Sequence, residues 1–150
     1  NSGGAGGFRA GMEWGIEHQF DWVWVMDDDI EPLPHAMETL LSYGSMSGFV
    51  QMRRQGPDGV LALEGLWDCN SCLPVSYHKD LSFERSARDW ISVQWGNFEG
   101  ALIQSAVVRQ VGLPDSRFFI AGDDTNDASL AEIYTNVIYV REIGFRRQLT

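Results

Sequence analysis

Trp22-Val23-Trp24-Val25-Met26-Asp27-Asp28-Asp29 is the stretch on which the reading of the whole chain turns. Five apolar residues in a row, β-branched and aromatic, suit a short strand covered on both faces, as in an α/β sheet. The run then empties directly into three carboxylates, which repel one another and are costly to bury uncompensated. At the carboxyl end of a buried strand they would face the crevice where open α/β sheets bind ligands. Alternate residues of an extended segment point the same way, so Asp27 and Asp29 can share one cation while Asp28 points elsewhere. Such hard oxygen ligands suit Mg2+ or Mn2+, completed by phosphates and water. A solvated acidic turn is the plain alternative.

Before this stretch lies Asn1-Ser2-Gly3-Gly4-Ala5-Gly6-Gly7, four glycines in seven residues, which reads as a loop. Phe8, Met12, Gly15, Ile16 and Phe20 then recur at helical spacing, so a helix is expected from Phe8 to about Gln19. The loop would deliver backbone N–H groups at that helix's start, a natural anion site. It matches neither the Gly-Lys-Ser/Thr phosphate loop nor the dinucleotide fingerprint. After the triplet, Pro32 and Pro34 punctuate the chain. Leu33 to Tyr43 reads as an amphipathic helix stopped by Gly44. Gly48 to Met52 reads as a strand, Gly56-Pro57-Asp58-Gly59 as a turn and Val60 to Leu66 as a returning strand. Asp68 to Asp89 reads mostly as loop. Ile91 to Trp95 is apolar, Ala101 to Val111 suits a strand and then a helix, Thr125 to Tyr134 a helix, and Val137 to Val140 a last strand. With no repeat or linker, a single α/β domain over residues 1–150 is the simplest account.

A second apolar run, Phe118-Phe119-Ile120-Ala121, also empties into acids, Gly122-Asp123-Asp124. A carboxylate beside another and partly desolvated has a raised pKa and can serve as a general base. A helix cap is the alternative, and the two are compatible. Trp95-Gly96-Asn97-Phe98-Glu99-Gly100 sets aromatics, an amide and a carboxylate between glycines. Aromatic faces pack on the C–H face of a sugar and the polar groups can bond its hydroxyls, although core aromatics around a turn give the same pattern. Cys69 and Cys72 form a lone Cys-x-x-Cys, read as two unpaired thiols rather than half a zinc site or a redox pair. His18, His35 and His78 are scattered and show no ligand spacing.

The 150 residues are 44% hydrophobic and 21% charged, an ordinary globular balance with room for one sizeable core. A net charge of -10, from 21 acidic against 11 basic residues, repels a phosphate backbone and argues against nucleic acid as a partner. A small phosphorylated ligand remains compatible with it, because a divalent cation reverses the local sign. No run reaches the roughly 20 apolar residues of a membrane span, and no signal peptide is visible. The cysteine usage fits a reducing, intracellular setting. Because a glycine-rich turn comes first with no strand before it, the chain is expected to lack an amino-terminal portion.

In this order the four motifs resemble the inverting family 2 glycosyltransferases, within them the galactofuranosyl- and rhamnosyltransferase-like branch. They are Asn1-Ser-Gly-Gly-Ala-Gly-Gly-Phe8 with Gly11, Trp24-Val-Met-Asp-Asp-Asp29 with Pro32, Gly96-Asn-Phe-Glu-Gly100, and Phe118-Phe-Ile-Ala-Gly-Asp-Asp124. The likeness runs from Asn1 to about Val140. It implies an α/β, GT-A-like fold, a mixed central sheet flanked by helices, incomplete here because the first nucleotide-binding strands are missing. It implies a nucleotide-diphosphate sugar donor, a glycan or lipid-linked acceptor, and Mn2+ or Mg2+. Asp27 and Asp29 would hold the metal, with Asn1, Gly3, Gly4, Gly6, Gly7 and Asp28 lining the donor side. Trp95, Asn97, Phe98 and Glu99 would line the acceptor side. Asp124 would be the general base, with Asp123 orienting the acceptor. The setting implied is polysaccharide or cell-wall synthesis, in the cytoplasm and peripherally at the inner face of the membrane. Two features depart from the family pattern: no arginine stands on the helix after Asp124, and Val140 to Thr150 holds no histidine.

Two other classes share some of these features. Metal-dependent nucleotidyl or phosphoryl transfer also uses paired aspartates, but expects a basic phosphate-binding cluster, and Arg53-Arg54 is the only basic pair before the tail. A degenerate, inactive fragment would bind only a metal or a protein partner. Exposed sheet edge and apolar surface would also favour self-association.

Overall fold

A computed structural model describes residues 3–59, 87–119 and 122–148. The expected strand at Val60–Leu66, Cys69, Cys72, His78 and Asn1 lie outside the described residues, as does most of the 68–89 loop. The elements run α1 (Gly3–Glu17), β1 (Trp22–Val25), β2 (Ile30–Pro32), α2 (Ala36–Ser42) and β3 (Phe49–Gln55). Then come β4 (Trp90–Ser92), β5 (Ala101–Gln104), α3 (Ser105–Val111), a 3-10 turn (Ser116–Phe118), α4 (Asp123–Ala131) and β6 (Val137–Arg147).

The six strands make one mixed sheet in the order β1-β5-β3-β6-β2, with β4 also on β6. β5 is antiparallel to both β1 and β3, whereas β3 and β6 run parallel. β6 is the organising strand. Along one side it pairs β3; along the other its first half pairs β4 and its last residues pair β2.

Period-2 alternation sorts the strand side chains between two cores. Phe49, Ala101, Ile103, Val137 and Tyr139 join Met12, Val107, Val108, Ala128 and Ala131, beneath α1, α3 and α4. Val50, Met52, Leu102, Ile138 and Val140 join Ala36 and Leu40, beneath α2. Both faces of the central strands are therefore dry, which is why they read as continuous apolar runs. β1 is an outer strand: Trp22, Val23 and Trp24 are half-buried and only Val25 is buried.

Two local expectations are corrected, the glycine loop and the length of the last strand. The glycine tract is helical, and α1 starts five residues before Phe8. Glycines weaken a helix by roughly 1 kcal/mol each, so local propensity favours a loop, but docking of the first turn overrides it. Gly3, at φ 70, lies where a Cβ would sit 2.2 Å from the Phe119 carbonyl oxygen, and the Gly4 N–H donates to that same oxygen at 2.9 Å. The Phe118 region is a 3-10 turn with both phenylalanines exposed, because Asp115 accepts from the Arg117 N–H and fixes the turn. The last strand continues past Val140 to Arg147, since paired neighbours on both sides supply ladder bonds that the charged side chains there do not oppose.

Trp14 and Phe20 stack on each other at 5.7 Å and stay exposed at the end of α1. No helix among the described residues is long and apolar enough to cross a membrane.

Gly100 is the tightest point of the sheet. Its φ is 105, and a Cβ there would meet the Phe145 ring at 2.4 Å. Gly100→Ala is expected to lower unfolding stability by about 3 kcal/mol, through strain and overpacking together. Urea denaturation would measure it, and a loss under about 1 kcal/mol would contradict this packing.

Candidate functional site: an acidic centre at the strand ends

The strand β1 delivers Asp27 to the mouth of the sheet, and a tight turn follows in which the Ile30 N–H donates to the Asp27 carbonyl at 3.3 Å. Asp27 and Asp29 are half-buried while Asp28 is exposed. The split follows the turn and the pairing of Ile30 with Arg147, rather than simple strand alternation.

Gly96–Gly100 comes alongside through the β1–β5 ladder. The Gly100 N–H donates to the Val25 carbonyl at 3.0 Å, and the Trp24 indole N–H to the Gly100 carbonyl at 3.1 Å. That register sets Glu99 beside Asp27. On the far side, the Gln148 N–H donates to the Asp29 carbonyl at 2.8 Å, tying the end of β6 to the acidic turn. Arg147 Nε then bonds Asp29 Oδ2 at 3.0 Å, and its Nη1 lies 3.7 Å from Glu99 Oε1. Arg54, from β3, pairs with Glu99 Oε2 at 2.6 Å and is the more buried of the two arginines. One chain of alternating charge results: Asp29, Arg147, Glu99, Arg54.

Asp27 is left out of this pairing and carries its excess. Burial pushes its carboxyl up to about 6, assisted by the charges of Glu99, Asp29 and Asp124 and opposed by Arg147. Asp124, in the first turn of α4, is also raised by burial, against two bonds from Thr125 to its Oδ1, with Asp123 and Glu99 adding to the rise. Asp27 and Asp124 therefore lie in one electrostatic field, with Glu99 acting on both. Asp123 is buried, and its Oδ2 has no hydrogen-bond partner among the described residues.

The expected residues fare unequally. Gly3 and Gly4 pack on Phe119, and the Gly4 amide is already engaged there. Gly6 is buried in α1, and Gly7 is exposed. Trp95 and Phe98 are core side chains, Phe98 lying 4.8 Å from Phe8, so protein atoms cover their rings. Asn97 is buried too; its N–H donates to Gln51 Oε1 at 2.9 Å and its Oδ1 accepts from the Glu99 N–H at 3.1 Å. Its effect on the site is to hold Glu99. His35 bonds the Ile143 carbonyl and His18 the Trp14 carbonyl.

No three His, Cys, Asp or Glu side chains among the described residues are grouped as a ready metal cage. A hard divalent cation commonly takes only one or two carboxylates, with phosphate and water completing its shell. The uncompensated charge at Asp27, beside Asp29, fits that donor set.

Sequence reading missed Arg147 and Asp127, and noted Arg54 only as half of a basic pair. The arginines look like ordinary strand-surface charge until the ladder places them. Asp127 lines a small apolar pocket of about 10 Å³, open to solvent, together with Met12, Phe49, Ile103 and Val107. Burial, reinforced by Asp123, pushes its carboxyl up to about 7.

No family model matches the chain. Comparison with known proteins nevertheless relates it to glycosyltransferases, at a low level of identity. The chain is 29% identical over 136 residues to the galactofuranosyltransferase GlfT1 of Mycolicibacterium smegmatis, covering 83% of this chain and 42% of that protein. It is 29% identical over 138 residues to GlfT1 of Mycobacterium tuberculosis, covering 83% and 41%. The chain thus spans about two fifths of the length of these relatives.

The buried Asp127 gives a pH test. Folding holds its proton up to about pH 7, whereas the unfolded chain releases it near the ordinary 3.8. Over that window the folded state binds more protons, so this group's contribution makes stability fall as pH rises. Asp127→Asn is expected to melt roughly 5 °C higher than the parent at pH 8 and about equally at pH 4. A constant difference across that range, measured by thermal denaturation, would show that Asp127 is not the titrating group.

Proposed function

We propose that this chain carries the metal-holding and proton-accepting half of a GT-A, inverting glycosyltransferase. The donor is a nucleotide-diphosphate sugar, and the sugar passes to the hydroxyl of a glycan or lipid-linked acceptor. The observation that supports this best is the shared field of Asp27 and Asp124, two carboxylates nearly a hundred positions apart. The likeness to galactofuranosyltransferases points the same way.

In this reading Asp27 and Asp29 hold Mn2+ or Mg2+, and Asp28, exposed on the same turn, borders the donor. The cation, when bound, supplies the positive charge that stabilises the departing diphosphate. Asp124 takes the proton from the acceptor hydroxyl, whose oxygen forms the new bond to the anomeric carbon as the bond to the diphosphate breaks. A single displacement from the opposite side inverts that carbon. Burial equips Asp124 for this, because a carboxylate with a raised pKa is a better base. Asp123 offers its unbonded Oδ2 to orient the acceptor. Glu99 stands between the two centres and sets the charge that both feel.

Calorimetric titration with UDP and TDP, with and without Mn2+, tests the reading. Diphosphate binding is expected only with the metal, and Asp27→Asn should weaken it at least about tenfold. Binding that is equally strong without metal would remove the cation from the site. In the complete enzyme, Asp124→Asn should retain donor binding and lose transfer; transfer at the parent rate would remove Asp124 from the base role.

A further inference from the structure

The acidic centre already contains a cation of its own. Arg147 bridges Asp29 and Glu99, and its field lowers the charge burden on Asp27. Its own pKa is raised, first by the bond to Asp29 and then by Glu99, so it is charged throughout the ordinary pH range. The two arginines differ in freedom. The Arg54 side chain is 11% exposed and fixed on Glu99, whereas that of Arg147 is 41% exposed. A long, exposed guanidinium can swing while its backbone stays fixed, and here the backbone is fixed by the β2–β6 ladder and by the Gln148–Asp29 bond. The Asp29 carboxylate that a divalent cation would need is the one this guanidinium holds.

We propose that Arg147 is a positioning residue that competes with the divalent cation for Asp29 and turns to the donor's diphosphate when the loaded donor arrives. The inference rests on the function proposed above. The physical reasoning is direct. Asp27, Asp29 and Glu99 crowd negative charge together, and Arg147 sets its guanidinium between two of them. Were Asp29 to hold a dication, the guanidinium would be repelled and would keep the Glu99 contact at 3.7 Å. The donor's diphosphate would then offer paired oxygens that the planar fork of a guanidinium can bind two at a time. Arg147 thus offsets the charge of the carboxylates and would add a contact that forms only with metal and diphosphate together.

The competition predicts effects of opposite sign, which a merely structural role would not produce. Mn2+ alone, titrated by calorimetry, should bind Arg147→Gln about tenfold more tightly than the parent, the usual scale for coupling of two competing groups. UDP at saturating Mn2+ should bind the same variant about tenfold more weakly. Arg147→Lys, which keeps the charge but not the fork, should leave Mn2+ affinity near the parent value and still weaken UDP. Should Arg147→Gln fail to fold, the lysine variant alone decides: unchanged UDP affinity there overturns the proposal. In a folded Arg147→Gln protein, Mn2+ affinity that is unchanged or weaker also overturns it, with the function above intact if the parent binds UDP with metal. A parent that binds Mn2+ but never UDP would sink that function and the diphosphate half of this inference, leaving the Mn2+ comparison to judge the competition.

Discussion

Like charges held close together in partly dry surroundings need compensation, and that need shapes the mouth of this sheet. Asp27, Asp29, Glu99 and Asp124 come from β1, the turn after it, the segment before β5 and the start of α4. Arg54 from β3 and Arg147 from β6 answer them. Ion pairs in such surroundings add little net stability, because desolvation offsets the attraction. Leaving the carboxylates unpaired would cost far more. The arginines therefore permit the cluster rather than strengthen the fold. Asp27 stays incompletely balanced, its carboxyl pushed up to about 6.

Accurate placement of these charges depends on close backbone approaches elsewhere. Gly100 allows the Phe145 ring to lie against the β1–β5 junction, which brings Glu99 beside Asp27. Gly96 sits where a Cβ would come 2.9 Å from Ala128 of α4 and 3.0 Å from the Phe49 ring. The Ser129 hydroxyl donates to the Gln94 carbonyl at 3.1 Å, so α4 is held against the same segment that carries Glu99. Gly3 lets the start of α1 pack on Phe119, four residues before Asp123 in the chain. Within the tract expected to form an anion site, Gly3 thus acts as a packing spacer, whereas a Cβ at Gly7 or Gly11 would meet nothing within 4 Å. Trp95 and Phe98 likewise belong to the core beneath the site rather than to its surface.

Relatedness to glycosyltransferases at 29% identity, over some two fifths of their length, agrees with the motif order more than with any one motif. Acidic turns, glycine tracts and aromatic pairs are each common. Their succession on a mixed sheet, with the two acidic groups meeting electrostatically, is what gives the proposed chemistry its footing.

What could be read directly from the residues was whatever depends on short-range pattern. Trp22–Val25 is a strand because β-branched and aromatic runs suit an extended backbone, but it is an outer, half-buried strand and not the doubly covered one expected. Helices expected at Leu33–Tyr43, within Ala101–Val111 and at Thr125–Tyr134 are found, with shifted ends, at Ala36–Ser42, Ser105–Val111 and Asp123–Ala131. The Asp27–Asp29 and Asp123–Asp124 groups stood out because each follows an apolar run, although a turn and a helix cap would explain them locally as well. Tertiary structure decided everything that depends on partners distant in the chain. It made a helix of a glycine tract, because docking on Phe119 outweighed propensity. It ran β6 on through charged residues to Arg147, because ladder bonds come from neighbouring strands and not from side-chain hydrophobicity. It placed Arg54 and Arg147 on Glu99 and Asp29, since an ion pair spanning 118 positions leaves no trace in local pattern. Periodicity records which face a residue shows; only the folded sheet fixes what stands opposite it.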